Sequence, residues 1–261
     1  MKKLIKAISV FSVIVALFIT ITAGAADGNA YSWYCVHRND RLQPKSDSAF
    51  DFIDKYGGYY IDKNHGDDNS DKVIYLTFDA GYENGNIEKI LDILKRQEVS
   101  SAFFILGNMI NKEQSLVTRM FDEGHLVCNH TYTHKTMVSK SADEFQNELL
   151  MLENTCKEVL GREIAKYYRP PEGRFDEESL KYASEMGYKT IFWSFAYADW
   201  DNNHQMSREK AKEKILKNVH NGEIMLLHPT SATNAAILEE IIISLKADGY
   251  RFGTLDELCS S

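Results

Sequence analysis

The pentapeptide His130-Thr131-Tyr132-Thr133-His134 sets two imidazoles four residues apart. Asp79 lies upstream in Thr77-Phe78-Asp79, and a further imidazole, His228, lies downstream in Leu227-His228-Pro229. Residues at i and i+4 share a face of a helix, so on one helical turn both rings reach a single divalent ion and leave positions for water and substrate. Open positions mean catalysis rather than a structural metal. An isolated H-x-x-x-H is weakly specific and is more often a pair of solvated surface histidines. The acid and the further histidine shift the balance toward a metal site with acid and base partners. A metallopeptidase fits poorly, because His-Glu-x-x-His needs glutamate where Thr131 stands.

The start of the chain bears on where such chemistry would occur. Lys2, Lys3 and Lys6 precede an apolar run over 7–22, and Ala23-Gly24-Ala25 is the small-residue pattern of an export cleavage site. Residues 1–25 are read as a signal peptide, which is expected to carry the protein out of the cytoplasm. An uncleaved leader would instead anchor it to the membrane. Cleavage would remove three lysines and no acid, making the mature chain more negative than the full chain's −8. With no compensating basic cluster, nucleic acid is excluded as an expected partner. Cys35, Cys128, Cys156 and Cys259 show no C-x-x-C spacing and are too few for a disulfide scaffold of this length. Cys128, two residues before His130, reads as a small apolar filler of a buried strand.

Residues 26–72 alternate aromatic and polar character and read as an N-terminal extension, and 73–261 as one catalytic domain. From Val73 onward short apolar runs alternate with amphipathic stretches, the pattern of β/α units with parallel strands. Strands are expected near 73–78, 102–105, 126–129, 167–169, 190–193, 224–227 and 251–252. Apolar stripes at Ile87, Ile90, Leu91 and Leu94, at Phe145, Leu149, Leu152, Cys156 and Leu160, and at Ile237, Ile241 and Leu245 mark core-facing helices. Asp79, His130, Arg169, Asp199 and His228 each fall at or just beyond the C-terminal end of a strand, where barrels of this type build active sites. A structural role would scatter such residues over both ends, so their convergence argues for a site.

Thr77-Phe78-Asp79-Ala80-Gly81, His130 to His134, Arg169-Pro170-Pro171-Glu172-Gly173, Ala198-Asp199-Trp200 and Leu227-His228 resemble, in order, the five motifs of the polysaccharide deacetylase family. The resemblance runs from about Val73 to the C-terminus and implies the NodB-homology fold, an α/β distorted (β/α) barrel of about seven strands. The extended form through Tyr82-Glu83-Asn84-Gly85, with Ser32-Trp33-Tyr34, resembles the delta-lactam-biosynthetic branch of the bacterial spore cortex. Members of that branch remove acetyl from N-acetylmuramic acid whose peptide an amidase has already stripped, and the product closes to muramic delta-lactam. Most of the family carries a second aspartate after the first, completing an Asp-His-His metal triad; here Ala80 offers no ligand atom. The resemblance therefore carries over two metal ligands, His130 and His134. Water, substrate, Glu83 or Glu172 is left to complete a labile site, with Zn²⁺ the expected ion and other first-row ions tolerated.

By the same resemblance Asp79 is the catalytic base, His228 the catalytic acid, Arg169 the partner of the base and Asp199 the residue that orients the acid. Glu172, Gly173, Arg174 and Trp200 are the candidate substrate contacts. The Glu172 N–H is assigned to the oxyanion site, Arg174 to a lactyl carboxylate, and Trp200 and Phe175 either to the sugar wall or to core packing. Two alternatives stand beside muramic acid deacetylation: N-acetylglucosamine deacetylation of peptidoglycan or chitin-like glycan, and a glycan-binding barrel that lost its metal. The intact acid and base set counts against the second.

Overall fold

The computed structural model describes residues 30–38 and 40–260. The leader read from the sequence lies outside them. Among the described residues no helix is long and apolar enough to cross a membrane.

The longest strand, β3 (Lys72–Ala80), pairs in parallel with β4 (Ala102–Ile105) along one stretch and with β9 (Glu223–Leu227) along another. From β4 the parallel sheet continues through β5 (Leu126–Asn129), β6 (Ala165–Tyr168) and β8 (Lys189–Ile191). Beyond β8 the chain reaches β9: the Phe195 N–H donates to the Ile224 carbonyl and the Leu226 N–H to the Phe195 carbonyl. This short bridge curls the sheet into a distorted barrel. β10 (Tyr250–Phe252) adds to the start of β3. All seven strands expected from the sequence are present, and the α/β barrel class holds.

Side-chain alternation along each strand separates two cores. On β3, Ile74, Leu76, Phe78 and Ala80 pack outward under the helices. Their outer partners come from α1 (Ile87–Arg96) and α7 (Ala232–Ala247), whose apolar stripes are buried. Val73, Tyr75, Phe104, Cys128, Tyr167 and Ile224 instead fill the barrel interior, which Leu255 and Leu258 of α8 (Leu255–Ser260) close at one end. This parity aims the chemistry. Asp79 continues the inward face of Val73 and Tyr75, His130 that of Cys128, Arg169 that of Tyr167, and His228 that of Ile224.

The segment before β3 is packed rather than trailing. β2 (Gly58–Tyr59) pairs in parallel with β8, and β1 (Tyr31–Ser32) pairs antiparallel with β7 (Arg174–Phe175). A 3-10 helix over Ser48–Tyr56 buries Phe50 and Ile53 beside Trp33, Phe175 and Phe192. Phe175 thus belongs to an aromatic core, with its ring 4.9 Å from Phe192 and none of it exposed, and does not form a sugar wall.

Candidate active site

The cleft over the open rim of the barrel has a volume of about 720 Å³. Asp79, His130, His134 and His228 line it, with Glu172 and Trp200 at its sides.

Arg169 is its buried anchor. The guanidinium is wholly inaccessible and uses its fork in three directions: Nη1 donates to Asp79 Oδ1 at 2.8 Å, Nε to the Ile191 carbonyl at 2.9 Å and Nη2 to the Phe192 carbonyl at 3.3 Å. It also sits 4.1 Å from the centre of the Phe104 ring, whose face attracts a cation. Burial alone would raise the Asp79 pKa, but the charge of Arg169, joined by His130 and His228 when they are protonated, outweighs it and holds the carboxyl below its usual range. Asp79 is therefore an ionised base held in a fixed direction.

His130 is buried, and its Nδ1 lies 2.8 Å from the Arg169 carbonyl, which can only accept. Burial pushes its pKa down to about 4, so the ring is neutral near pH 7, its proton on Nδ1 and its unshared pair on Nε2. That pair faces Asp79 Oδ2 at 3.5 Å. Two electron-rich atoms so close favour a cation, and a carbonyl that fixes the tautomer from behind is the usual support of a metal-binding imidazole. The His134 ring centre is 4.9 Å from that of His130.

The route by which the two rings meet differs from the one expected. Residues 130–134 form a loop after β5, not a turn of helix, and Thr131 and His134 both adopt left-handed backbone with φ of 70° and 60°. The two rings are therefore neighbours, as the i, i+4 spacing predicts, but through loop geometry and not a helical turn. Glu148 of α4 (Ala142–Leu160) shapes the loop, accepting from the N–H groups of Tyr132 and Thr133 and from the Thr133 hydroxyl at 2.8–3.2 Å. Asn129 Oδ1 accepts the Thr131 N–H, and the Thr131 hydroxyl accepts the His134 N–H. Gly107 makes room for the Tyr132 ring, which would lie 2.4 Å from an added Cβ. Glu148 and Gly107 carry no signal in the sequence, since their spacing from the histidines has no local period, and Asn129 beside His130 reads only as the end of a strand.

Opposite Asp79 stands His228. Its Nδ1 is 2.7 Å from Asp199 Oδ1, and its backbone N–H donates to Asp199 Oδ2 at 2.8 Å. Burial works against the charged imidazole, yet the hydrogen bond and charge of Asp199, with the charge of Asp79, raise its pKa above the ordinary histidine value. Trp200 is 60 % exposed, with its ring centre 6.1 Å from that of His228, a position suited to a sugar face.

Glu172 lines the cleft in a left-handed turn with φ of 58°. The next residue, Gly173, has φ of 65°, and an added Cβ would meet the Trp193 ring at 2.7 Å. Arg174 pairs in register with Ser32 on the β1–β7 ribbon and is not among the residues lining the cleft. Of the two carboxylates considered as replacement ligands, Glu83 caps α1 by accepting the Ile87 N–H at 3.0 Å and the Gly85 N–H. Ala80 packs among helix-facing apolar side chains. Among the described residues no group of three or more His, Cys, Asp or Glu side chains forms a metal-holding cluster, and the donor set that fits a cation is the His130 Nε2 pair, its tautomer fixed by the Arg169 carbonyl, beside the His134 ring.

A barrel that sets an arginine-held aspartate against an aspartate-held histidine, with two imidazoles beside them, defines an enzyme of paired acid and base catalysis in a rim cleft. The chain belongs to the polysaccharide deacetylase family, whose model matches residues 66–191. It is 40 % identical over 206 residues to the peptidoglycan-N-acetylmuramic acid deacetylase PdaA of Bacillus subtilis, covering 79 % of this chain and 76 % of that protein. A peptidoglycan-N-acetylglucosamine deacetylase of Bacillus cereus is 31 % identical over 239 residues, covering 88 % of this chain and 84 % of that protein. The solved structure of B. subtilis PdaA, a family 4 carbohydrate esterase, matches with a TM-score of 0.82 and 36 % identity over 88 % of this chain and 96 % of that chain. The protein is thus a polysaccharide deacetylase with the family 4 carbohydrate esterase fold.

Proposed function

We propose that the protein removes acetyl from N-acetylmuramic acid residues of peptide-stripped peptidoglycan, giving the free amine that closes to muramic delta-lactam in spore cortex. The observation that carries the hydrolytic part is Asp79, held ionised by Arg169, facing His228, held as an acid by Asp199. The choice of sugar draws on the likeness to a muramic acid deacetylase, which at 40 % identity exceeds the 31 % to an N-acetylglucosamine deacetylase. The extracytoplasmic setting follows from the leader-like residues 1–25 and from a substrate that lies in the wall.

An amide resists hydrolysis because its carbonyl is a poor electrophile and its nitrogen a poor leaving group. Asp79 takes a proton from the attacking water as its oxygen bonds to the acetamido carbon. His228, with Nδ1–H turned to Asp199, presents Nε2 to the cleft and gives its proton to the nitrogen as the C–N bond breaks, leaving acetate and the amine. Arg169 holds the carboxylate of Asp79 in place and ionised before the reaction begins. Trp200 offers its exposed ring as a wall for the sugar. His130 and His134 would hold a divalent ion, for which we propose Zn²⁺; when bound, it polarises the acetamido carbonyl and lowers the pKa of bound water.

The test measures acetate released from amidase-treated peptidoglycan, with and without chelator, for the wild type, Asp79→Asn and His228→Ala. Release should depend on metal and fall by about 10²–10⁴-fold in either variant. Mass spectrometry of the digested glycan should show acetyl loss at muramic acid. Loss at glucosamine would overturn the sugar assignment, and no acetate under any metal condition would favour a glycan-binding barrel.

A further inference from the structure

We infer that Asn234 is a positioning residue for the acid His228, acting through Asp199 in a buried chain of hydrogen bonds that starts at Tyr197. The inference deepens the proposed function and rests on the reading of His228 as the acid.

Asn234 lies in the first turn of α7, 1 % exposed, with its backbone N–H donated to Ser231 Oγ at 3.1 Å. It does not line the cleft, so it has no contact with substrate to explain its burial. Its Nδ2 is 2.6 Å from Asp199 Oδ2 and 3.3 Å from the His228 carbonyl, and its Oδ1 accepts from the Tyr197 hydroxyl. Chemistry fixes which way the amide faces. A carboxylate and a carbonyl only accept, so the NH₂ must meet them, while the phenol supplies a proton to Oδ1. A flipped amide would set oxygen against the carboxylate of Asp199.

Asp199 Oδ2 therefore carries two donors, the His228 N–H and Asn234 Nδ2, and Oδ1 is left for the imidazole. The carboxylate plane is pinned at one oxygen so that the other meets His228 Nδ1 at 2.7 Å. The charged groups facing His228 are Asp199 from the loop after β8, Asp79 from β3 and Arg169 from the end of β6. Asn234 adds no charge to this set. It changes how well Asp199 is aimed, which separates its effect from simple charge removal.

The test is an NMR titration of the His228 imidazole, set beside the pH profile of kcat/KM, for the wild type, Asn234→Ala, Asn234→Asp and Tyr197→Phe. Asn234→Ala should move the His228 midpoint down by about one pH unit, since a less well aimed carboxylate favours imidazolium less. The alkaline limb of the rate should follow, with kcat lower by about 10–100-fold and KM little changed. In Asn234→Asp the new carboxyl would share a proton with Asp199, restoring both the donor and the net charge, so the midpoint should return to the wild-type value or above it. General damage to the fold would move both variants the same way. Should Asn234→Ala fail to fold, Tyr197→Phe, which only frees the amide to turn, should give a smaller downward shift. Unchanged midpoints in the alanine and phenylalanine variants, or an aspartate variant that tracks alanine, would overturn the inference. If the midpoints move as expected and the alkaline limb stays in place, His228 is not the acid, and Asn234 is not a positioning residue for one.

Discussion

At the scale of single residues the site is organised by one buried cation. Arg169 satisfies Asp79 and two backbone carbonyls from different directions, a pattern that suits a planar fork and not a flexible ammonium. Arg169→Lys keeps the charge yet leaves acceptors without donors at a site closed to water. We expect it to lower stability by about 1–3 kcal/mol and to reduce kcat more than it changes KM, because Asp79 loses its fixed direction. Urea denaturation beside steady-state kinetics would check this; a variant as active and as stable as wild type would show that charge alone suffices.

At the scale of elements, the strands aim Asp79, Arg169 and His228 by their inward parity, whereas the imidazole loop is shaped by a helix. Glu148 of α4 gathers three donors of the loop, although it lies fourteen residues beyond His134. Glu148→Ala should leave His130 anchored to the Arg169 carbonyl while releasing His134. Zinc affinity measured by calorimetry should then weaken by about 10–100-fold with helix content unchanged by circular dichroism. Gly107→Ala, through its collision with the Tyr132 ring, should weaken binding in the same direction. Unaltered affinity in both would mean that the loop holds its shape without support.

At the scale of the whole molecule, the region read as an extension is part of the barrel's support. Trp33 is 5 % exposed, stacks on Phe192 at 4.6 Å and donates its indole N–H to the Trp193 carbonyl at 2.8 Å. It thereby holds the stretch after β8 that carries the Phe192 carbonyl bound to Arg169. Trp33→Ala should cost about 3–5 kcal/mol, read from chemical denaturation, and should reduce activity by disturbing that stretch. A loss under 1 kcal/mol would show that the aromatic cluster is peripheral.

Much of this was legible in the sequence because it is local or periodic. The apolar run at 73–78 marks a strand with Asp79 at its C-terminal end, the apolar stripes mark which helix faces are buried, and the five motifs carry the family and its site residues. What the sequence could not state was how distant groups converge. The loop that turns His130 and His134 together depends on Glu148, and the amide behind Asp199 comes from a helix thirty-five residues later. The burial of Phe175 depends on partners that arrive from residues 33–50. Periodicity fixes the face of an element because it is a property of neighbouring residues. Hydrogen bonds and aromatic contacts across the barrel are settled only when strands far apart in the chain close around one interior.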